Sequence, residues 1–282
     1  MKDILQKVKS DESGYEAALE HVASEVCGNI QIRLVLIAGG SCAGKTTTTK
    51  KLSQLISQKG RVCHTISLDD FYRNPEDSVY LPDGTRDIET VRSLETGMIR
   101  DVLKRIAACE PTPVPYFDFK TKRRTDSYRV IDAGVRDVVI VEGLHALNPE
   151  LYDSDFDMSV CYRVFLYADA GDGSDCRFVR RLVRDSRHRS SDCEMLYCLW
   201  ENVKKNELES IDPYSSSADI RINTFFPYER GILDDDAIRL LDALPDGSEF
   251  KHRAVELRSK LGKCIQYPDS VIPENSLLHE FI

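Results

Sequence analysis

The stretch LVLIAGGSCAGKTTTT, residues 34–49, constrains the fold more than any other part of the chain. A β-branched apolar run ends in a glycine pair, and a third glycine, a lysine and a row of threonines follow. Gly39, Gly44, Lys45 and Thr46 fit G-x-x-x-x-G-K-[ST], with a strand-type run before and a helix-type segment after, the context this motif requires. Its glycines let backbone N–H groups turn inward around a phosphate, and the new helix directs its positive end at the same point. The loop Gly39, Gly40, Ser41, Cys42, Ala43, Gly44, Lys45, Thr46 and Thr47 is therefore expected to hold a nucleotide. Lys45 reaches the β- and γ-phosphates, and the Thr46 hydroxyl is placed to ligate Mg²⁺. The hydroxyls of Thr47–Thr49 read as helix surface and packing, and Cys42 as a small side chain that the loop tolerates.

The remaining chain reads as strands alternating with helices. Runs at 32–38, 62–68, 137–147, 161–168 and 218–224 have strand character. Helical spacing marks residues 1–27 (one or two helices), 45–58, 89–109, 176–188, 193–208, 234–244 and 252–263. The proline-rich stretch 110–131 reads as an extended hairpin near an edge. This alternation predicts an α/β chain: a mostly parallel sheet covered by helices on both faces, with ligands at the carboxyl ends of the strands. Residues 1–30 are expected as an N-terminal helical extension, and residues 31–282 as a phosphate-loop domain with a helical lid at about 173–192.

Composition narrows the function classes. With 282 residues, 41% hydrophobic and 30% charged, the chain has a globular balance. No apolar stretch approaches the roughly 18 residues of a membrane span, and the N-terminus lacks signal-peptide character. Nine scattered cysteines without a C-x-x-C pair predict free thiols in a reducing cytoplasm and no zinc site. A net charge of −9 argues against generic nucleic-acid binding. The exception is RFVRRLVRDSRHR, with Arg177, Arg180, Arg181, Arg184, Arg187 and Arg189 in a few helical turns. Two readings of it stand open: a lid whose guanidiniums balance charge on a transferred phosphoryl group, or a solvated face with i,i+4 pairs such as Arg181–Asp185.

Strand-end acids supply the chemistry. SLDDFYR puts Asp69 and Asp70 after the second strand, and VVIVEGLHAL puts Glu142 at the end of another. One carboxylate near a γ-phosphate can accept a proton from an attacking hydroxyl, and another can hold Mg²⁺. Neither the N-K-x-D signature of GTPases nor an LSGGQ-type transporter signature occurs. Trp200 and Tyr197 read as packing. His145 reads as a structural hydrogen-bonder or a substrate contact.

The ordered segments GGSCAGKT, SLDDFYR, PYFDFKTKRR, VVIVEGLHAL, RRLVRD and ADIRINT together resemble the uridine kinase/phosphoribulokinase family of P-loop kinases, and DIETVRSL, FDFKTKRR and the ending IPENSLLHEFI most resemble its bacterial uridine kinase-like branch. The resemblance runs from about Ile32 to Phe226. It implies a three-layer P-loop NTPase fold and Mg²⁺-dependent transfer of the ATP γ-phosphoryl to the 5′-hydroxyl of a uridine- or cytidine-type nucleoside. By this resemblance Asp69 is the general base, Lys45, Arg181 and Arg184 assist at the phosphates, and Thr46 and Glu142 surround Mg²⁺. Asp87 grips the ribose hydroxyls, and Tyr72, Phe117, Lys122, Arg124 and His145 belong to the acceptor side. Relatives of this kind are often dimers or tetramers, so a homo-oligomer is expected, with no nucleic-acid or membrane partner.

One stretch departs from the family pattern. Pyrimidine-specific members carry Tyr and His where FDFKTK has Phe117 and Lys122. Phe117 can stack but has no hydroxyl, and Lys122 brings donors but no acceptor. Two alternatives to the nucleoside reading follow. The first is the same fold acting on a sugar phosphate or another small alcohol, with Lys122, Arg123 and Arg124 either facing that acceptor or forming a solvated basic hairpin. The second is a nucleotide-binding regulatory protein with little transfer activity.

Overall fold

The computed structural model describes residues 2–82, 84–173, 175–189 and 192–282, without the side chain of Arg189. In chain order, a long helix α1 (Lys2–Gly28) precedes strand β1 (Leu34–Gly39) and helix α2 (Lys45–Gln58). Strand β2 (Cys63–Ser67), helix α3 (Thr96–Ala107), strands β3 (Thr112–Asp118) and β4 (Arg123–Ile131), and strand β5 (Val138–Glu142) follow. The second half holds β6 (Cys161–Tyr167), α4 (Cys176–Arg189), α5 (Cys193–Ser210), β7 (Ile220–Asn223), α6 (Arg230–Asp242) and α7 (Lys251–Lys260).

Five strands form an entirely parallel sheet in the order β2-β5-β1-β6-β7. Its centre reads as continuous apolar sequence because both faces are covered: every residue of β1 and of β5 is buried. Side chains alternate across the pleat, so β1 feeds two cores. Val35 and Ile37 pack with α1, α2 and α4–α6, whereas Leu34, Leu36 and Ala38 pack with α3 and the β3–β4 hairpin. The N-terminal segment is one unbroken helix. Val8, Leu19, Val22 and Val26 join the first core, and the Tyr15 hydroxyl hydrogen-bonds Thr48 Oγ1 at 2.9 Å. No helix among the described residues is long and apolar enough to cross a membrane.

Two elements differ from the sequence expectation. The helix expected over 89–109 starts only at Thr96. Before it, the backbone bonds outward: Arg73 N donates to Ser93 O (2.8 Å) and Glu95 N donates to Phe71 O (2.9 Å), with a bridge between Tyr72 and Leu94. Tertiary pairing with the loop after β2 satisfies these groups, so local helical spacing does not decide the conformation. The expected hairpin forms, but as a separate two-stranded antiparallel sheet.

Of the expected lid, residues Ser174, Ser190 and Ser191 and the Arg189 side chain lie outside the described residues. The arginines of α4 divide their work, and neither sequence reading covers them all. Arg180 is fully buried and paired with Glu229. Arg177 pairs with Glu207 and Arg187 with Asp236. Arg181 and Arg184 face a cavity beside the phosphate loop.

Candidate active site

The loop between β1 and α2 has the conformation its glycines require. Gly44 is left-handed (φ 82°), and a Cβ there would lie 2.5 Å from Leu277 Cδ1. A Cβ on Gly39 would lie 2.4 Å from Leu166 O. No side chain caps α2 at Gly44, so the first-turn N–H groups and the positive helix end are left for an anionic ligand. Lys45 spans the loop, its Nζ donating to Gly39 O and Gly40 O at 3.0 Å each. Cys42 stands at φ 59°. Burial raises its thiol pKa, so it serves here as packing.

A cavity of about 270 Å³ opens over this loop. Lys45, Thr46, Asp69, Glu142, Arg181 and Arg184 all line it, as do Ser41, Cys42, Gly44 and Tyr72. The carboxyl ends of β1, β2 and β5 bring these groups together, as parallel topology dictates. Tyr72 is shared with a second cavity of about 300 Å³, whose walls include Phe117, Phe119, Arg86 and Lys122. Phe117 lies edge-on to both Tyr72 (5.6 Å) and Phe119 (5.2 Å), and the Arg86 guanidinium sits 5.9 Å from its ring centre.

The adjacent acids Asp69 and Asp70 have different surroundings. Asp70 pairs with Arg129 at 3.2 Å and accepts the Phe117 N–H at 3.4 Å, tying the hairpin to the sheet. Asp69 faces the phosphate-loop cavity. Burial, reinforced by the charge of Asp70, raises its carboxyl pKa, with Lys45 opposing. Burial, with the Asp69 charge added, likewise pushes Glu142 up to about 7. A carboxylate so strained for lack of a counter-charge, beside a threonine hydroxyl, fits a hard cation that takes few protein ligands and keeps several waters.

Other expected site residues lie outside the two cavities. Asp87 is buried, accepting from Asn202 Nδ2 (3.0 Å) and from Glu89 N (3.2 Å). His145 is buried beneath the site with Nε2 bonded to Glu89 O at 2.8 Å, which is its structural reading. Arg124 pairs with Glu95 at 3.1 Å. Gly39, Gly40 and Ala43 form the back of the loop, and Thr47 Oγ1 donates to Glu280 Oε2 at 2.8 Å.

Three acids were not expected. Glu89 lines the phosphate-loop cavity opposite Arg181 (4.0 Å), and burial pushes it up to about 7. It stands two residues after Asp87 in DIETVRSL, where the sequence predicts the start of a helix. Glu280, in the C-terminal ending IPENSLLHEFI, lines the same cavity, although the sequence marks that ending only by its resemblance. Glu207 of α5 accepts the Ser41 N–H at 3.2 Å while its partner Arg177 donates to Ser41 O at 3.1 Å, clamping the outer edge of the loop.

The raised acids make stability depend on pH. Between about 4.5 and 7 the folded protein holds protons on Glu89 and Glu142 that the unfolded chain has released, so stability falls as pH rises through that window. The full effect is about 3 kcal/mol for each group. Replacing Glu142 by Gln should remove its share. Urea unfolding at pH 5 and pH 8 is expected to show wild type losing more stability than Glu142→Gln, and an equal loss would contradict this account of Glu142.

Residues 34–226, from β1 to just past β7, match the Phosphoribulokinase / Uridine kinase family. The chain belongs to this family of P-loop kinases. It is 27% identical to a uridine kinase of Deinococcus deserti over 196 residues, covering 69% of this chain and 89% of that protein. It is 29% identical to a uridine kinase of Oceanobacillus iheyensis over 191 residues, covering 66% and 83%. Among solved structures, a candidate fructose transport system kinase from Silicibacter sp. TM1040 superposes with a TM-score of 0.54 at 15% identity, covering 74% of this chain and 98% of that one. The YGR205w protein superposes with a TM-score of 0.52 at 15% identity, covering 79% and 94%. Both share the α/β fold. The helices and tail after residue 226, including α6, α7 and Glu280, lie beyond the family match.

Proposed function

We infer that this chain is a cytoplasmic kinase that transfers the γ-phosphoryl group of ATP to the 5′-hydroxyl of a uridine- or cytidine-type nucleoside. The observation that carries the reading is the junction of the two cavities: the phosphate-loop cavity with Asp69 meets the aromatic cavity at Tyr72. An acceptor stacked among Phe117, Phe119 and Tyr72 would present a hydroxyl toward Asp69. Asp69 takes the proton from that hydroxyl, whose oxygen forms the new bond to phosphorus as the β–γ bridging bond breaks and ADP leaves. Burial, by raising the basicity of Asp69, suits it to this role. Lys45, Arg181 and Arg184 offset the negative charge of the phosphates. Thr46 and Glu142 are the residues that would hold Mg²⁺, which when bound neutralises phosphate oxygens.

One observation favours a second reading, in which the acceptor itself carries an anionic group. Arg86 and Lys122 both line the aromatic cavity, and no acidic residue does among the described residues. Arg86 makes no ion pair among the described residues, and its Nε is buried without a hydrogen-bond partner. Product analysis with uridine, cytidine and phosphorylated sugars separates the two. The nucleoside reading expects 5′-monophosphate, whereas turnover confined to phosphorylated sugars would replace it with the second. ATP binding without turnover on any acceptor would leave the nucleotide-binding regulator.

Lys122 is left-handed (φ 58°) at the hairpin turn, a conformation that histidine adopts more readily than most residues. Lys122→His is therefore expected to fold normally and to raise kcat/KM for uridine at least tenfold, as restoring a matched polar partner does. An unchanged kcat/KM would take Lys122 out of base recognition.

A further inference from the structure

A cavity of about 160 Å³ lies between α4, α5 and α7, away from both cavities described above. Phe178 of α4 and Tyr197 and Trp200 of α5 form one wall, and Arg253, Leu257 and Lys260 of α7 are on the other. The three aromatic side chains are almost completely buried. Phe178 packs at 4.5 Å from Tyr197 and 5.4 Å from Trp200, between ring centres. The Arg253 guanidinium lies 5.3 Å from the centre of the Tyr197 ring. Four of the nine described lining residues come from α7, beyond the stretch that matches the family.

Three features select a ligand class. The volume is below the roughly 300–1,000 Å³ of sites for drug-sized molecules, so the cavity takes a single ring system. Aromatic walls favour a planar one. The buried Tyr197 hydroxyl has no hydrogen-bond partner among the described residues, and a group in that state is costly until something pairs with it. Asp175 and Glu256 stand at the cavity with Arg253 and Lys260. Asp175 already accepts from Trp200, Lys260 pairs with Glu256 and Arg253 with Glu201, so a ligand would share acceptors and donors that are already engaged. A planar ring with carbonyl and N–H edges matches this set, whereas a hydrocarbon ring would leave the hydroxyl unpaired.

The cavity is connected to the phosphate loop through Trp200. Its Nε1 donates to Asp175 Oδ2 at 2.8 Å. The guanidiniums of Arg177 and Arg181 lie 5.5 and 5.7 Å from its ring centre. Arg177 donates to Ser41 O at 3.1 Å, and Arg181 Nη1 reaches Ser41 Oγ at 3.5 Å. We propose that this cavity is an effector site for a free nucleobase, and that its occupancy alters nucleotide affinity through Trp200 and the two arginines stacked on it. Coupling of this kind is reciprocal: base and nucleotide change each other's dissociation constant by the same factor.

Trp200 is the only tryptophan in the chain, so its emission reports the site directly. Titration of the full chain with uracil, cytosine and adenine is expected to give a saturable emission change with at least one base. Tyr197→Phe keeps the ring and removes the hydroxyl, and should weaken that base at least tenfold. Leu257→Phe narrows the cavity from the opposite wall and should abolish the change, which keeps the test decisive if the first variant folds poorly. Both variants should bind ATP within twofold of wild type when no base is present, and in wild type the base should shift the ATP dissociation constant by the same factor by which ATP shifts that of the base. The proposal is overturned by no saturable change with any base. It is equally overturned by a change that survives both substitutions, as binding in the acceptor cavity would give, or by toluene binding as tightly as the bases.

Discussion

Asp69→Asn is expected to lower turnover at least a hundredfold while leaving ATP affinity within a few-fold of wild type. The substitution keeps the size of the side chain and removes its capacity to take a proton, and general-base contributions are typically 10²–10⁴-fold. Asp69 shares its cavity with Lys45 and Thr46, yet the anion grip rests on the loop backbone and Lys45, which the substitution leaves in place. The neighbouring acid provides the control. Asp70 is engaged with Arg129 and the Phe117 N–H, so Asp70→Asn should affect stability and hairpin position more than the proton-transfer step. Steady-state kinetics with a competent acceptor, together with nucleotide titration, reads both quantities. Equal losses of turnover in the two variants would deny Asp69 its distinct role.

The second large effect concerns stability. Arg180 has no exposure to solvent, and Glu229 is 2% exposed. Arg180 Nε and Nη2 donate to the two Glu229 oxygens at 3.0 and 2.7 Å, and Nη1 reaches Cys42 O and Thr224 Oγ1 at 3.2 Å each. This one guanidinium therefore joins helix α4, the crest of the phosphate loop and the residue just after β7. Its ring neighbour Phe281, 4.8 Å from the guanidinium, brings the C-terminal tail to the same point. Arg180→Met should cost about 3–5 kcal/mol, because it strands a buried carboxylate, and lower the melting temperature by roughly 10 °C. Arg180→Met combined with Glu229→Gln should recover much of the loss, since no unpaired charge then remains. A single variant within 1 kcal/mol of wild type in urea, a cutoff set by typical point-mutant effects, would contradict this description.

The two examples differ in how legible they were. Asp69 was readable because parallel sheets collect ligands at strand ends, so a strand-end acid beside a phosphate loop has few other places to point. The arginine helix was readable only as a cluster of charge. Helical spacing does not tell which arginine meets Glu229, a residue 49 positions away, and burial of Arg180 depends on that meeting. Glu280 and Glu207 were invisible for the same reason. Each reaches the loop only through tertiary packing, which neither α5 nor the ending IPENSLLHEFI encodes locally. Helix α3 shows the limit for secondary structure, since residues 89–95 bond to the segment after β2 in place of extending the helix. The acceptor side was the least legible part. FDFKTK marked the departure at Phe117 and Lys122, but Arg86, which the fold brings over Phe117, had no sequence signature.

The phosphate loop and Asp69 are expected to act together on an acceptor hydroxyl. Measuring ADP formation across a panel of nucleosides and sugar phosphates, with wild type and Asp69→Asn side by side, addresses it most directly. Wild type is expected to form ADP in a manner that depends on the acceptor, with the rate lowered at least a hundredfold in the variant. ATP bound but never consumed with any acceptor, or consumption that Asp69→Asn leaves unchanged, would contradict it.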